Sequence, residues 1–172
     1  MKKLMARVLK RQVAVQLTDT AVAAIHAAAN RAAPNETGGL LLGWWEPTDV
    51  HVDIAVEVID QEATGNSWTR RQVEAQRVLD AELAKSGNHV LGYVGDWHSH
   101  PAPVGASRRD MKSLAQSSLQ YENPVVLIVR LSDATISIYA AQRGKHLRLN
   151  TTASLAGSAD STFVDRWQAD FP

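Results

Sequence analysis

Cysteine is absent from all 172 residues, which excludes a disulfide scaffold, thiolate zinc sites and any cysteine nucleophile. Metal chemistry, if the chain performs it, falls to histidine and carboxylate. No charge of one sign prevails: 18 Lys and Arg balance 18 Asp and Glu. With no repeated basic and aromatic pattern, this balance argues against a nucleic-acid partner. No segment approaches the roughly 20 apolar residues of a membrane span, and the basic start over 1–11 lacks the apolar stretch of a signal peptide. A cytoplasmic protein is expected, with residues 1–11 as a solvated, frayed terminus. Repeats and low-complexity stretches that would mark internal borders are missing too. What is present, 45% hydrophobic residues over this length, suits one globular domain spanning 1–172 with a real core.

Hydropathy patterning predicts alternating elements. Residues 13–17 read as a short strand, and Thr18 offers a cap for an Ala-rich helix to about Arg31. A turn over 34–37 leads into a buried strand over 38–45, followed by a second over 51–58. After a polar turn over 62–67, a helix is predicted from about Trp68 to Lys85, with Val78, Leu79 and Leu83 inward and a stop at 86–88. A strand over 90–97 runs into His98, a helix opens at Ser107 and reaches about Leu119, and strands over 124–130 and 135–141 close the core. The expected fold is α/β of the α+β type, a layered sheet with helices. The small, polar segment 150–158 reads as a linker, and 163–167 as a short docking element.

The stretch Trp97-His98-Ser99-His100-Pro101, continued to Ser107 and Asp110, gathers the residue types of a metal site. Successive strand side chains alternate faces, so His98 and His100 point the same way and can grip one ion. Pro101 and Pro103 stop the strand, and Asp110 falls in the first turn of the next helix. Two imidazoles and one carboxylate are three protein ligands, which leaves a tetrahedral zinc ion one open position, as in catalytic zinc sites. Taken alone, Ser-x-x-Asp before a helix reads as an N-cap with an acidic residue in the first turn. Capping and ligation are compatible, and the ordered coincidence of the pieces favours the metal. His51 with Asp53 repeats the alternation but lacks a third ligand nearby, so a half-buried strand pair is expected there; His26, His89 and His146 stand alone. Trp44, Trp45 and Trp97 are expected in the core or a cleft wall.

Together with Pro34-Asn35-Glu36-Thr37-Gly38-Gly39-Leu40-Leu41-Leu42-Gly43, this stretch resembles the JAB/MPN metalloproteases. Their JAMM signature pairs an upstream Glu with His-x-His-Pro and a following Ser-x-x-Asp. The resemblance covers roughly residues 12 to 142. It implies a mixed β-sheet flanked by helices with cytidine-deaminase-like layering. It also implies one catalytic Zn2+ on His98, His100 and Asp110, Glu36 as general base and acid, and Ser107 as a stabiliser of the tetrahedral intermediate. The loop of residues 101–106 is one residue shorter than the family's usual spacing, while the Ser-x-x-Asp spacing is intact.

Around Trp68-Thr69-Arg70-Arg71 and Gly92-Tyr93-Val94-Gly95-Asp96 the chain is similar to prokaryotic JAB proteins that accompany E1-like and E2-like enzymes in ubiquitin-like conjugation systems, many linked to antiphage defence. That resemblance implies cleavage after the C-terminal residue of a ubiquitin-like protein, in precursors or conjugates. By themselves Arg70 and Arg71 read as a solvated helix start. Two other functions stay open: a peptidase for sulfur-carrier proteins or small peptide conjugates, and a binding module that keeps the fold without turnover.

Overall fold

The run Gly38–Trp45 is apolar throughout, a composition suited to a strand covered on both faces. In the computed structural model, which describes residues 12–150, that strand lies at the centre of the sheet. The basic segment 1–11 and the terminal element expected at 163–167 lie outside the described residues.

In chain order the elements are β1 (Gln12–Leu17), α1 (Asp19–Ala32), β2 (Gly38–Trp45), β3 (Asp49–Glu57), α2 (Gln72–Ser86), β4 (Gly92–Ser99), α3 (Arg108–Ser117) with a 3-10 turn at Ser118–Gln120, β5 (Val125–Arg130), β6 (Ile136–Gln142), β7 (Lys145–His146) and β8 (Arg148–Leu149). The mixed sheet has the order β7-β6-β5-β4-β2-β3-β1-β8. β2 runs antiparallel to both β3 and β4, while β4 and β5 are parallel, as are β1 and β3. The class is mixed α/β, as the patterning predicts.

Strand alternation sorts the apolar residues onto two faces. On one, Ile25, Ala21 and Ala28 of α1 pack against Val50, Val52, Leu41, Trp97 and Ile128. On the other, Ala75, Val78, Leu79 and Leu83 of α2 meet Leu40, Leu42 and Val58, and Leu114 of α3 meets Val125, Leu127 and Val129. Burying one such Leu, Ile or Val is worth about 1.5–3 kcal/mol, whereas exposed pairs like Arg77 with Glu74 on α2 contribute about 1 kcal/mol at most. Packing, not surface charge, holds the helices to the sheet. Local chemistry ends them: the Thr18 hydroxyl accepts the Ala21 N–H at 3.1 Å to open α1, and Gly87, at φ 60°, closes α2 in the left-handed conformation.

Two features depart from the patterning. The segment 145–149 crosses from one sheet edge to the other, β7 pairing with β6 and β8 with β1. The sheet therefore curls until one segment touches both of its edges, which shields them from pairing with other chains. Further, α2 begins at Gln72, not near Trp68. Residues 68–71 are held out of the helix because the Trp68 indole N–H donates to Val58 O at 3.1 Å, and the Asp60 carboxylate accepts from Thr69 N and Arg71 Nε, both at 2.9 Å.

Candidate metal centre

β4 delivers the two histidines as alternation requires. His98 lies near its end, and the His100 N–H donates to Arg130 O at 2.8 Å, which carries the ladder one residue past the strand. Asp96 and His98 share the α2/α3 side, where the neighbour of His98 on β2 is Gly38 and on β5 is Val129. The imidazole Nε2 atoms are 3.0 Å apart. Asp110, in the first turn of α3, places Oδ1 3.7 Å from His98 Nε2 and Oδ2 3.6 Å from His100 Nε2. Ligand bonds of about 2.0–2.1 Å give a tetrahedral edge of about 3.4 Å, close to the separation of the two Nε2 atoms and to the distance from each of them to its nearer Asp110 oxygen, so this donor triangle could hold a single small divalent cation. All three donors lie within 4.8 Å of one another.

The surroundings orient these donors. His100 Nδ1 is 2.8 Å from Val104 O. A carbonyl can only accept, so Nδ1 carries the proton and Nε2 turns its lone pair toward the triangle. The 101–106 loop thus closes as a turn pinned by His100 itself. Hydrogen bonding to Asp110 raises the His100 pKa above its ordinary value, against the effect of burial. Burial pushes the Asp110 carboxyl up, but bonds to His100, His98 and Ser107 outweigh it and hold the group well below the usual carboxylate range.

Glu36 stands just before β2, its N–H donating to Thr64 O at 2.8 Å. Its carboxylate is half-buried. Burial raises its pKa; His100 and His98 oppose the shift, Asp110 adds to it, and the Trp68 backbone N–H lowers it, with a net upward result. The backbone puts Glu36 beside the triangle: Thr37 bonds Ser99 and Gly38 pairs with His98. Ser107 is the N-cap of α3 in a full capping box: its Oγ accepts the Asp110 N–H at 3.2 Å, and its own N–H donates to Asp110 Oδ2 at 2.7 Å. The cap and the metal-site arrangement therefore coexist in one carboxylate.

The family of prokaryotic homologs of the JAB domain matches residues 18–143. The chain belongs to this family. Among similar proteins, a CD-NTase/cGAS isopeptidase of Enterobacter hormaechei is 36% identical over 107 residues, 58% of this chain and 57% of that protein. A probable metalloprotease of Sinorhizobium fredii is 31% identical over 104 residues, 55% of this chain and 62% of that protein. The matches thus span less than two thirds of either relative. A solution structure of a Desulfitobacterium hafniense protein shares the fold, with a TM-score of 0.57 at 19% identity over 83% of this chain and 95% of that one.

Within this JAB domain, Arg70 and Arg71 are not a solvated helix start. Arg70 Nη1 bonds both oxygens of Asp96, at 2.9 and 3.0 Å, and the Tyr93 hydroxyl at 3.0 Å. Burial alone would lower the Arg70 pKa, but Asp96 keeps it well above its ordinary value. Arg71 pairs with Asp60 and Glu62. Asp96 escaped the sequence reading although the signal was there: it lies two residues before His98, on the same face of the strand.

The other singled-out residues serve the JAB framework. His51 stacks on Trp44, with ring centroids 4.8 Å apart, and its Nε2 lies 3.4 Å from Glu46 Oε1. His26 accepts from Arg130 Nε at 3.4 Å. Trp97 is buried in the core, and the Trp45 indole N–H donates to Pro124 O at 2.9 Å. No helix among the described residues is long and apolar enough to cross a membrane.

Proposed function

We propose that this chain is a zinc-dependent JAMM-type peptidase that hydrolyses the amide after the C-terminus of a ubiquitin-like protein, in precursors or conjugates. The observation that carries the reading is the meeting of the His98, His100 and Asp110 donor triangle with a carboxylate, Glu36, whose proton affinity is raised. The names of the two similar proteins, isopeptidase and probable metalloprotease, support it.

His98, His100 and Asp110 would hold the ion. When bound, zinc supplies a Lewis acid that polarises a carbonyl and acidifies water to a pKa of about 7. Glu36 takes a proton from the attacking water at a carboxylate oxygen and returns it to the leaving amine nitrogen as the C–N bond breaks. Its raised pKa suits both transfers, since an acid that holds its proton too weakly accepts one poorly. The Ser107 hydroxyl donates to the developing oxyanion, a contribution whose loss typically costs about a hundredfold or more in rate. His100, oriented through Val104 O, would offer its Nε2 lone pair to the ion. E1-like and E2-like proteins of the same conjugation system are the expected partners, with antiphage defence as one setting.

The test uses ubiquitin-like proteins fused through their C-terminal glycine to a fluorescent reporter, together with metal analysis of the purified chain. Wild type is expected to carry one zinc and to release the reporter. Glu36→Ala should keep the zinc and lose cleavage, and His98→Ala should lose both. Equal cutting by the two variants, or a chain that holds no zinc and cuts nothing after zinc is added back, overturns the assignment.

A further inference from the structure

Between the start of α2 and α3 a cavity of about 310 Å3 extends from His98 and Asp110 over β4 and β5. Its size is at the small end of the about 300–1,000 Å3 that ligand pockets occupy, room for one or two amino-acid residues and not for a folded partner. Its walls are mixed, with Trp68, Leu114, Val126 and Leu127 among polar and charged groups. Arg70 and Gln72 line one side, Arg109, Ser113 and Ser117 the other, and Asp96 lies in the floor. The three α3 residues stand at i, i+4 and i+8, so they form a single stripe along the helix.

Two arginines and two carboxylates line this cavity, but both carboxylates are engaged elsewhere, Asp110 by His98, His100 and Ser107 and Asp96 by Arg70 and Tyr93. Arg70 directs Nη1 at both Asp96 oxygens and at the Tyr93 hydroxyl, and Tyr93 donates to Asp96 Oδ2 at 2.9 Å. Asp96 is thereby neutralised, while Arg70 Nε and Nη2 have no hydrogen-bond acceptor among the described residues. Arg109 has neither an ion pair nor a hydrogen-bond partner among the described residues. It also stands in the first turn of α3, where the helix dipole disfavours a cation, so helix stability gives no reason for it. The Arg109 guanidinium, a second guanidinium with two nitrogens unused and two serine residues line the same space.

We propose that this cavity is a carboxylate-binding subsite beside the scissile amide, with Arg109 as its specificity-determining residue and Arg70, Ser113 and Ser117 as further donors. The inference rests on the peptidase reading above and adds one feature to its substrate. That feature is a carboxylate within a residue or two of the cut bond, carried as an acidic side chain or as the free C-terminus of a short leaving group. A planar guanidinium matches a carboxylate in fork geometry. The engaged Asp96 presents a neutral floor that does not repel it.

Three small ligands test the subsite on the full chain as purified: N-acetylglutamate α-amide for a side-chain carboxylate, N-acetylglycine for a terminal one, and N-acetylglutamine α-amide as the neutral control. Binding is followed through the amide resonances of Ser113 and Ser117. At least one carboxylate ligand is expected to shift both resonances and to bind about tenfold more tightly than the control, and which of them does so identifies the source. Arg109→Gln should bring that ratio close to one, and Arg109→Lys should keep part of it. A wild-type ratio near one overturns the subsite, as does a preference that Arg109→Gln leaves intact, which would place the carboxylate on the metal ligands instead. Because binding is read without turnover, the two ideas fail separately. A chain that cuts the reporter fusion but ignores carboxylates keeps the peptidase and loses the subsite; one that binds them through Arg109 and cuts nothing keeps the subsite and loses the peptidase.

Discussion

Ser99 and Thr37, 62 residues apart in the chain, bond each other in both directions inside the protein. The Thr37 N–H donates to Ser99 Oγ at 3.0 Å, and the Ser99 N–H donates to Thr37 O at 2.8 Å. Ser99 sits between the two histidines yet faces the opposite side of the sheet, and Thr37 is the residue after Glu36. The Thr37 hydroxyl donates in turn to Glu57 Oε1 at 2.7 Å, and Glu57 pairs with Arg31 at 2.8 Å. One strand end thus carries the metal donors on one face and the clamp for the neighbouring Glu36 on the other.

Ser99→Ala removes the acceptor of a buried N–H, and an unsatisfied buried donor costs about 1–3 kcal/mol. Urea unfolding should show a loss in that range while metal content stays at the wild-type level. If the variant sheds its metal as His98→Ala does, the clamp is not separable from the metal triangle.

Asp110 serves both a helix cap and the donor triangle, and Asp110→Asn divides the two. The amide oxygen can still accept the Ser107 N–H, so the cap survives, while the metal-free chain loses at neutral pH the stabilisation that the depressed carboxylate supplies. Zinc affinity should fall by at least tenfold, because a neutral oxygen replaces a charged ligand. Calorimetric zinc titration reads the second effect, and unchanged affinity would remove Asp110 from the ligand set.

At Gly38 an added Cβ would lie 2.5 Å from Trp97 O and 2.8 Å from the Trp68 ring. The ring can move, but the carbonyl belongs to the paired strand. Gly38→Ala is therefore expected to cost about 1–3 kcal/mol and to displace Trp68, visible as a changed tryptophan emission that is absent in a Trp68→Phe background. Wild-type stability in this variant would contradict the close packing of β2 on β4.

Acid stability should depend on Asp60. Burial works against its charge, but the N–H groups of Thr69 and Glu62 and the Arg71 guanidinium outweigh it and hold the pKa below the ordinary value. The folded pKa is depressed, so the unfolded chain binds the proton more readily. The stabilisation is present above the unfolded value of about 3.9 and is lost as pH falls through the folded one. Wild type should exceed Asp60→Asn in urea midpoint at pH 6, and the two curves should converge toward pH 2. Parallel curves would show that Asp60 does not carry this part of the acid response.

Much of the site was legible because its logic is local. Alternation along β4 put His98 and His100 on one side, and Ser-x-x-Asp announced a helix start whose carboxylate also reaches the histidines. The same alternation places Asp96, two residues upstream, on that side as well. Arg70 could not be read in this way, since a pair of arginines before a helical pattern looks solvated until its partners are known. Trp68 misled the helix boundary for a similar reason: its ring and indole N–H are claimed by Gly38 and Val58, and that contact overrides helical propensity.

The sequence by itself determined the elements, their buried faces and the donor types, because periodicity and capping act over a few residues. Only the tertiary structure decided which strands lie side by side. The pairing of Gly38 with His98, the bond of Thr37 to Ser99 beside Glu36, the Arg70 and Asp96 contact and the closure of the sheet by 145–149 all join segments distant in the chain. Such pairings arise from the cooperative burial of many side chains at once, and no local pattern encodes them.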